Sequence, residues 1–185
     1  GARELRVATD LTLHPTLSFA LSGKWNVVAD IRVPLISTDG SKPPKRLTNT
    51  KPGESGAAWS PDSTQIAFVA KRESDQESQI YILPLDGGEA WRLTNVATGA
   101  SGPVWGPDGK AILFQSNVHE GARNEEENAK LASERKARKY NARTWDTYPI
   151  ARWDKWIDDL HPHLYVQELS PDAKPKDLLA GTKLI

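Results

Sequence analysis

The 185-residue sequence predicts an all-β chain of repeated four-stranded units, a partial β-propeller of about three blades with a helical insertion near 120–142. Three observations carry this expectation. Residues 46–68 (RLTNTKPGESGAAWSPDSTQIAF) and 92–114 (RLTNVATGASGPVWGPDGKAILF) align without a gap at an offset of 46, and 12 of the 23 positions are identical. Each copy divides into strand-length segments separated by tight-turn signals, and four short strands in roughly 40–45 residues is the period of a propeller blade. The 13 Pro and 13 Gly supply the turns that such a chain of short strands needs.

The elements follow in order. Trp59 ends a short run and points at a core. Ser60-Pro61-Asp62-Ser63 is a turn, because Pro presets φ and Asp bonds its own downstream backbone. Gly106-Pro107-Asp108-Gly109 is the same turn with a better final residue. Gln65–Ala70 is a mostly apolar strand and Ala111–Phe114 its copy. Gln79–Leu83 is a further strand, Asp86-Gly87-Gly88 a turn, and Ala90–Thr94 leads into the next unit. Fainter copies flank these two. Upstream, Ser22–Trp25 with Val27–Ala29 reads as a degenerate turn and strand, and Ile31–Leu35 before Asp39-Gly40 matches Ile80–Leu85 before Asp86-Gly87. Downstream, His163–Leu169 matches the Tyr81 strand, and Lys176–Leu179 sits where Trp91–Thr94 sits.

The third unit carries an insertion between Phe114 and the Tyr165 strand. Residues 124–140 read as a helix. Asn124 with Glu127 resembles a capping box. Glu125, Glu126 and Glu127 sit at the positive end of the helix dipole, and Arg135, Lys136, Arg138 and Lys139 at the negative end. Glu126–Lys130 and Glu134–Arg138 are spaced as i,i+4 ion pairs. With little apolar face, this helix belongs on the rim.

Composition excludes several classes. Lys+Arg and Asp+Glu are 24 each, so the chain lacks the basic excess that nucleic-acid binding requires. No run of 18 apolar residues is present to span a membrane as a helix, and no signal peptide opens the sequence as given. Zero Cys excludes disulfides, thiolate metal sites and a Cys nucleophile. The expected blades cover about 13–48, 49–94 and 95–179 (with the insertion at 119–160), and 180–185 start another. Propellers have typically 4–8 blades, and an open stack leaves apolar faces uncovered. The expectation is therefore an incomplete N-terminal propeller domain of a longer protein.

The unit W-[SG]-P-D-[SG]-x-x-I-x-F, followed by I-Y-x-x-x-L-D-G-G and R-L-T-N, resembles the TolB-like propeller repeat. The segment Tyr148–Val166, closed by Asp177–Thr182, is similar to the Arg-His-Trp-Asp-x-Trp segment and His-Leu-[FY]-Val strand of prolyl oligopeptidase family serine peptidases, in their acylaminoacyl-peptidase and dipeptidyl-peptidase 5 branch. Ala151-Arg152 stands where that branch has Arg-His. The resemblance implies a propeller capping an α/β-hydrolase domain that holds a Ser-Asp-His triad, absent from these residues. A nucleophile elbow needs Gly-x-Ser-x-Gly on a strand-to-helix turn. Gly53-Glu54-Ser55-Gly56 and Gly99-Ala100-Ser101-Gly102 lack the final Gly in register and read better as a duplicated turn. No catalytic residue is expected in this chain.

The resemblance marks Arg152, Trp153, Asp154 and Trp156 as substrate-binding candidates lining the tunnel toward the hydrolase domain. The plainer reading is that the two Trp anchor the insertion and Asp154 bonds an indole or backbone N–H; a third has Asp154 meeting a substrate amine. Glu125–Glu127 read either as an amine-binding cluster or, more simply, as a solvated helix N-terminus. His161 and His163, near Asp158 and Asp159, would need a third convergent ligand to hold a metal. Asp62 and Asp108 read as turn formers, and Trp59 and Trp105 as blade core. The resemblance thus implies the substrate-gating part of an exopeptidase that removes dipeptides or acyl-amino acids from peptide N-termini, this chain alone being inert. Its partners would be short peptides and the C-terminal α/β-hydrolase domain, with no nucleic acid, membrane, metal or cofactor. A periplasmic or secreted location is expected, with the cytoplasm as the other possibility. The rival is a noncatalytic TolB-like propeller that binds other proteins.

Overall fold

A computed structural model describes residues 54–139, 159–170 and 172–182, residue 43, and the strand backbone of 34–35, 45–46, 150–152 and 155–156. The upstream copy at Ser22–Ala29 lies outside the described residues. Of the segment around Ile31–Leu35, β1 (Pro34–Leu35) pairs antiparallel with β2 (Lys45–Arg46).

Two four-stranded antiparallel meanders follow. The first runs β3 (Ser55–Trp59), β4 (Gln65–Ala70), β5 (Gln79–Pro84) and β6 (Trp91–Arg92), in that spatial order. The second is built from β7 (Ser101–Trp105), β8 (Ala111–His119), β11 (Leu160–Glu168) and β12 (Lys176–Asp177), ordered β12-β11-β8-β7. Between β8 and β11 the chain makes helix α1 (Glu125–Ala137) and a small antiparallel pair, β9 (Ile150–Arg152) and β10 (Lys155–Trp156). The chain is therefore mostly β, two four-stranded sheets and one helix among the described residues.

The repeated Pro-Asp segments form the same turn twice. Asp62 Oδ1 accepts from Thr64 N at 3.1 Å and from Ser60 Oγ at 2.6 Å. Asp108 Oδ1 accepts from Lys110 N at 3.1 Å. The last residue of each turn has positive φ: 60° at Ser63 and 69° at Gly109. The inner strands repeat too. Both begin with a bulge, between Ser55 and Ala58 and between Ser101 and Val104, with Gly56 and Gly102 at φ 61° and 59°. A left-handed residue at a bulge suits glycine, which has no Cβ to clash.

Strand alternation gives each sheet two apolar faces. On the leading face of the first sheet, Phe68 lies opposite Tyr81 with ring centroids 6.1 Å apart. On the second, Phe114 lies opposite Tyr165 at 5.5 Å. The trailing face of the first sheet carries smaller side chains: Ala67 opposite Ile82 and Val69 opposite Ile80. These form one core with Ile112, Phe114, Val118 and Tyr165 of the second sheet. Each large side chain so buried contributes roughly 1.5–3 kcal/mol. The repeated tryptophans are half-buried: Trp105 packs on this core and donates its indole N–H to Ala58 O at 3.0 Å, tying one inner strand to the next.

Helix α1 is shorter at its C-terminus than the expected 124–140, because Arg138 leaves helical geometry at ψ 132°. Asn124 is its cap, accepting from Glu127 N at 2.8 Å, while Glu127 Oε2 accepts from Arg123 N at 2.9 Å. The expected Glu126–Lys130 and Glu134–Arg138 pairs do not form. Instead Glu126 reaches Lys174 at 4.0 Å, and Lys130 meets Glu134 at 3.9 Å. Such exposed pairs differ little in energy, so tertiary neighbours decide between them. The helix buries only Asn128 and Ala132. Asn128 docks it by polar bonds, its Oδ1 accepting from His119 N at 2.9 Å and its Nδ2 donating to Asn117 O at 3.2 Å.

Candidate functional site

The N-terminus of α1 separates two clefts. One, of about 500 Å³, lies between the helix and the 74–79 segment and is spanned by the Lys136–Glu77 ion pair at 2.6 Å. The other, of about 620 Å³, lies between the helix and the 172–180 segment, with Tyr165, Gln167 and Asp177 in its lining. Glu125 and Glu126 border both.

Glu125 departs from the expected solvated helix end. It is half-buried, its Oε1 accepts from Ala97 N at 2.7 Å, and burial pushes its carboxyl above the ordinary value against the opposing effect of that bond. Glu126, by contrast, keeps 78% of its side chain exposed.

Asp177 organises the far wall of the larger cleft. Its Oδ1 accepts from Leu179 N at 2.8 Å and Ala180 N at 3.2 Å, and its Oδ2 meets His163 Nδ1 at 2.6 Å. Burial, with the nearby charges of Asp177 and Glu125, pushes the Tyr165 phenol up. Gln167 is 3% exposed; its Nε2 donates to Leu93 O and Ala173 O, while its Oε1 is buried with no protein partner. The cleft is thus rich in acceptors: the carboxylates of Glu125, Glu126, Asp172 and Asp177 outnumber the cations Arg123 and Lys174. Such a lining suits a donor-rich, positively charged group.

A second network was not legible from the repeat. Asp75, whose side chain is fully buried, accepts from Tyr81 OH at 2.5 Å, Arg72 N at 2.9 Å and Arg92 Nη1 at 2.8 Å. Burial raises the Asp75 carboxyl, but these bonds outweigh it and hold the group below its ordinary value. Burial and then the bond to Asp75 push the Tyr81 phenol up to about 12. The Arg72 guanidinium covers the ring at 4.2 Å. Register explains the relation between the two networks: Arg92 pairs with Tyr81, and Asp177 pairs with Tyr165. At the matching position the first sheet has a cation and borrows its carboxylate from Asp75, whereas the second sheet has the carboxylate itself and takes His163 as its partner. Aligning Lys176–Leu179 on Trp91–Thr94 puts Asp177 against Arg92, and that exchange was the available signal.

The predicted site residues fare unevenly. Arg152 and Trp156 lie on β9 and β10, which pair with Lys155 opposite Arg152 and Trp156 opposite Ile150; only their backbone is described. Trp153, Asp154 and Asp158 lie outside the described residues. His163 goes to Asp177, and Asp159 to Arg135 with His119 Nδ1 3.9 Å away, so the His–Asp cluster is divided among separate partners. Ser55 and Ser101 stand on the bulged strands β3 and β7, and neither has the positive φ that among described non-glycine residues belongs to Ser63 alone. That is strand geometry, not an elbow. Ser116, which pairs with His163 across β8 and β11, has its Oγ 3.0 Å from Thr98 Oγ1.

No protein-family model matches the chain. No curated protein sequence matches it either. Solved structures do. A putative TolB from Agrobacterium tumefaciens is 21% identical, with a TM-score of 0.51 over 81% of this chain and 41% of that one. The acylaminoacyl peptidase of Pyrococcus horikoshii is 12% identical, with a TM-score of 0.51 over 79% of this chain and 20% of that one. At these identities the likeness shows the fold: the two sheets match blades of TolB-like propellers. The chain spans less than half the length of either protein.

Proposed function

We propose that this chain is the substrate-gating propeller part of a serine exopeptidase that removes dipeptides or acyl-amino acids from peptide N-termini. The observation that carries the reading is the insertion between β8 and β11, which sets Glu125 beside an acceptor-lined cleft of about 620 Å³. A peptide's N-terminal ammonium is the donor-rich cation that this lining suits. The resemblance of Tyr148–Val166 to the peptidase segment supports the same reading. In it, Arg152, Trp153, Asp154 and Trp156 are the substrate-binding residues, and an α/β-hydrolase domain supplies the triad. The propeller admits short peptides and excludes folded proteins. The location is periplasmic or secreted.

The 185-residue chain alone is then inert. It is expected to release no chromophore from dipeptidyl or acylaminoacyl p-nitroanilides. The native gene product is expected to react with a fluorophosphonate probe, at a mass well above that of this chain. Hydrolysis by the 185 residues themselves would contradict their inertness. A larger product that stays unlabelled would shift the reading to an interaction propeller.

A further inference from the structure

Helix α1 borders both clefts with almost no apolar hold on the sheets. Leu131, its one large apolar side chain, is half-buried, and only Asn128 and Ala132 are buried. What fixes it is polar. At its N-terminus Glu125 accepts from Ala97 N and Glu126 meets Lys174; at its C-terminus Lys136 meets Glu77 and Arg135 meets Asp159. In between, Asn128 bonds the β8 backbone at Asn117 and His119. Water can replace each of these bonds once the helix lifts, and a 13-residue helix without tertiary contacts is marginal on its own. Lys174 and Lys136 keep 89% and 53% of their side chains exposed, so salt screens their pairs. Just upstream, Gly121 has a φ of 86° and open space where a Cβ would sit, which gives the backbone a pivot.

We propose that α1 is a salt-latched flap whose release joins the two clefts into one trough. Asn95, Glu125 and Glu126 line both clefts, and two of these three ride on the helix. When the helix lifts, the ridge between the clefts goes with it. Ala129, Ala132, Ser133 and Lys136 form the helix wall of the smaller cleft, so that cleft widens as well. The sheet beneath stays whole, because β8 and β11 are joined along nine residue pairs. An ammonium ligand in the larger cleft competes with Lys174 for Glu126, so filling the cleft loosens the flap. That the trough then admits peptide rests on the peptidase reading; that the flap opens does not.

The test is residue-resolved hydrogen exchange on the 185-residue chain in about 20 mM and about 500 mM NaCl. The Ala97 and His119 amides have their acceptors on α1, so they report its release whether or not the freed helix melts. At the higher salt both, with the amides of α1, are expected to exchange at least about threefold faster, while β4 and β5 stay unchanged. Glu77→Gln with Lys174→Gln removes two latches without altering the helix, and is expected to give fast exchange already at low salt. Glu134→Gln breaks only a pair within the helix and is expected to leave Ala97 and His119 as they were. The chain has no cysteine, so Glu77→Cys and Lys136→Cys can be joined selectively by a bis-maleimide; that bridge is expected to remove the salt response. Salt-independent exchange at Ala97 and His119, or a double variant that behaves as the parent, would overturn the proposal. So would acceleration that runs equally through β4 and β5, because the whole chain would then be opening. Glycinamide is expected to speed exchange more than NaCl at equal ionic strength. A salt response without that excess would keep the flap and count against the reading of the cleft as an amine site.

Discussion

Ser63 occupies a backbone conformation that serine rarely adopts. Its φ of 60° matches the 69° of Gly109 in the second copy of the turn. A left-handed non-glycine residue costs roughly 1–2 kcal/mol, partly offset by the entropy that glycine loses on folding. Ser63→Gly is therefore expected to raise stability by about 0.5 kcal/mol, and Gly109→Ser to lower it by about 1 kcal/mol; urea midpoints at constant slope check both. Space is not the obstacle at 109, where a Cβ would meet Pro61 Cδ at an ordinary 3.7 Å. At this scale the turn was fully legible, because Pro, Asp and Gly act through their own backbone. The Asp75–Tyr81–Arg92 cluster was not. Strand register sets Arg92 beside Tyr81, the turn between β4 and β5 supplies Asp75, and no local rule joins residue 75 to residue 92.

Helix α1 shows how an element's ends are written in sequence while its contacts are not. The cap at Asn124 follows from residue type and spacing. The partner of Glu125 does not, since Ala97 lies 28 positions away. Because burial raises the Glu125 carboxyl, the folded protein holds that proton more tightly than the unfolded chain. Its charge then costs stability as pH rises from the ordinary value of 4.5 through the raised one. Glu125→Gln keeps an acceptor for Ala97 N and removes this dependence. The stability of the variant relative to the parent is expected to improve from pH 4 to pH 7, measured by urea denaturation at each pH. A difference that shrinks over that range would contradict the burial of the charge.

At the scale of the whole molecule, the leading and trailing faces are the organising feature. Phe114 is 1% exposed at the junction of the two sheets, while Leu164 lies on the open side. Phe114→Ala is expected to cost about 3–5 kcal/mol. Leu164→Ala is expected to change stability by no more than about 0.5 kcal/mol. Thermal or chemical unfolding of the two variants side by side checks the contrast. Equal losses would mean that the second sheet is covered on both faces.

The all-β class, the repeated Pro-Asp turns, and the position and cap of the inserted helix were legible in the sequence, whereas Gly56 and Gly102, read there as part of a duplicated turn, stand at strand bulges. The turns and the helix cap depend on interactions within a few residues, and the ungapped repeat states the turn twice. Only the folded chain shows that Asp177 partners His163 while Arg92 partners Asp75, that Glu125 is half-buried against Ala97, and that Val104 and Leu164 of the second sheet are exposed. Those outcomes depend on which strands lie side by side and on what covers them, and sequence periodicity shows that a face is apolar without showing what it meets.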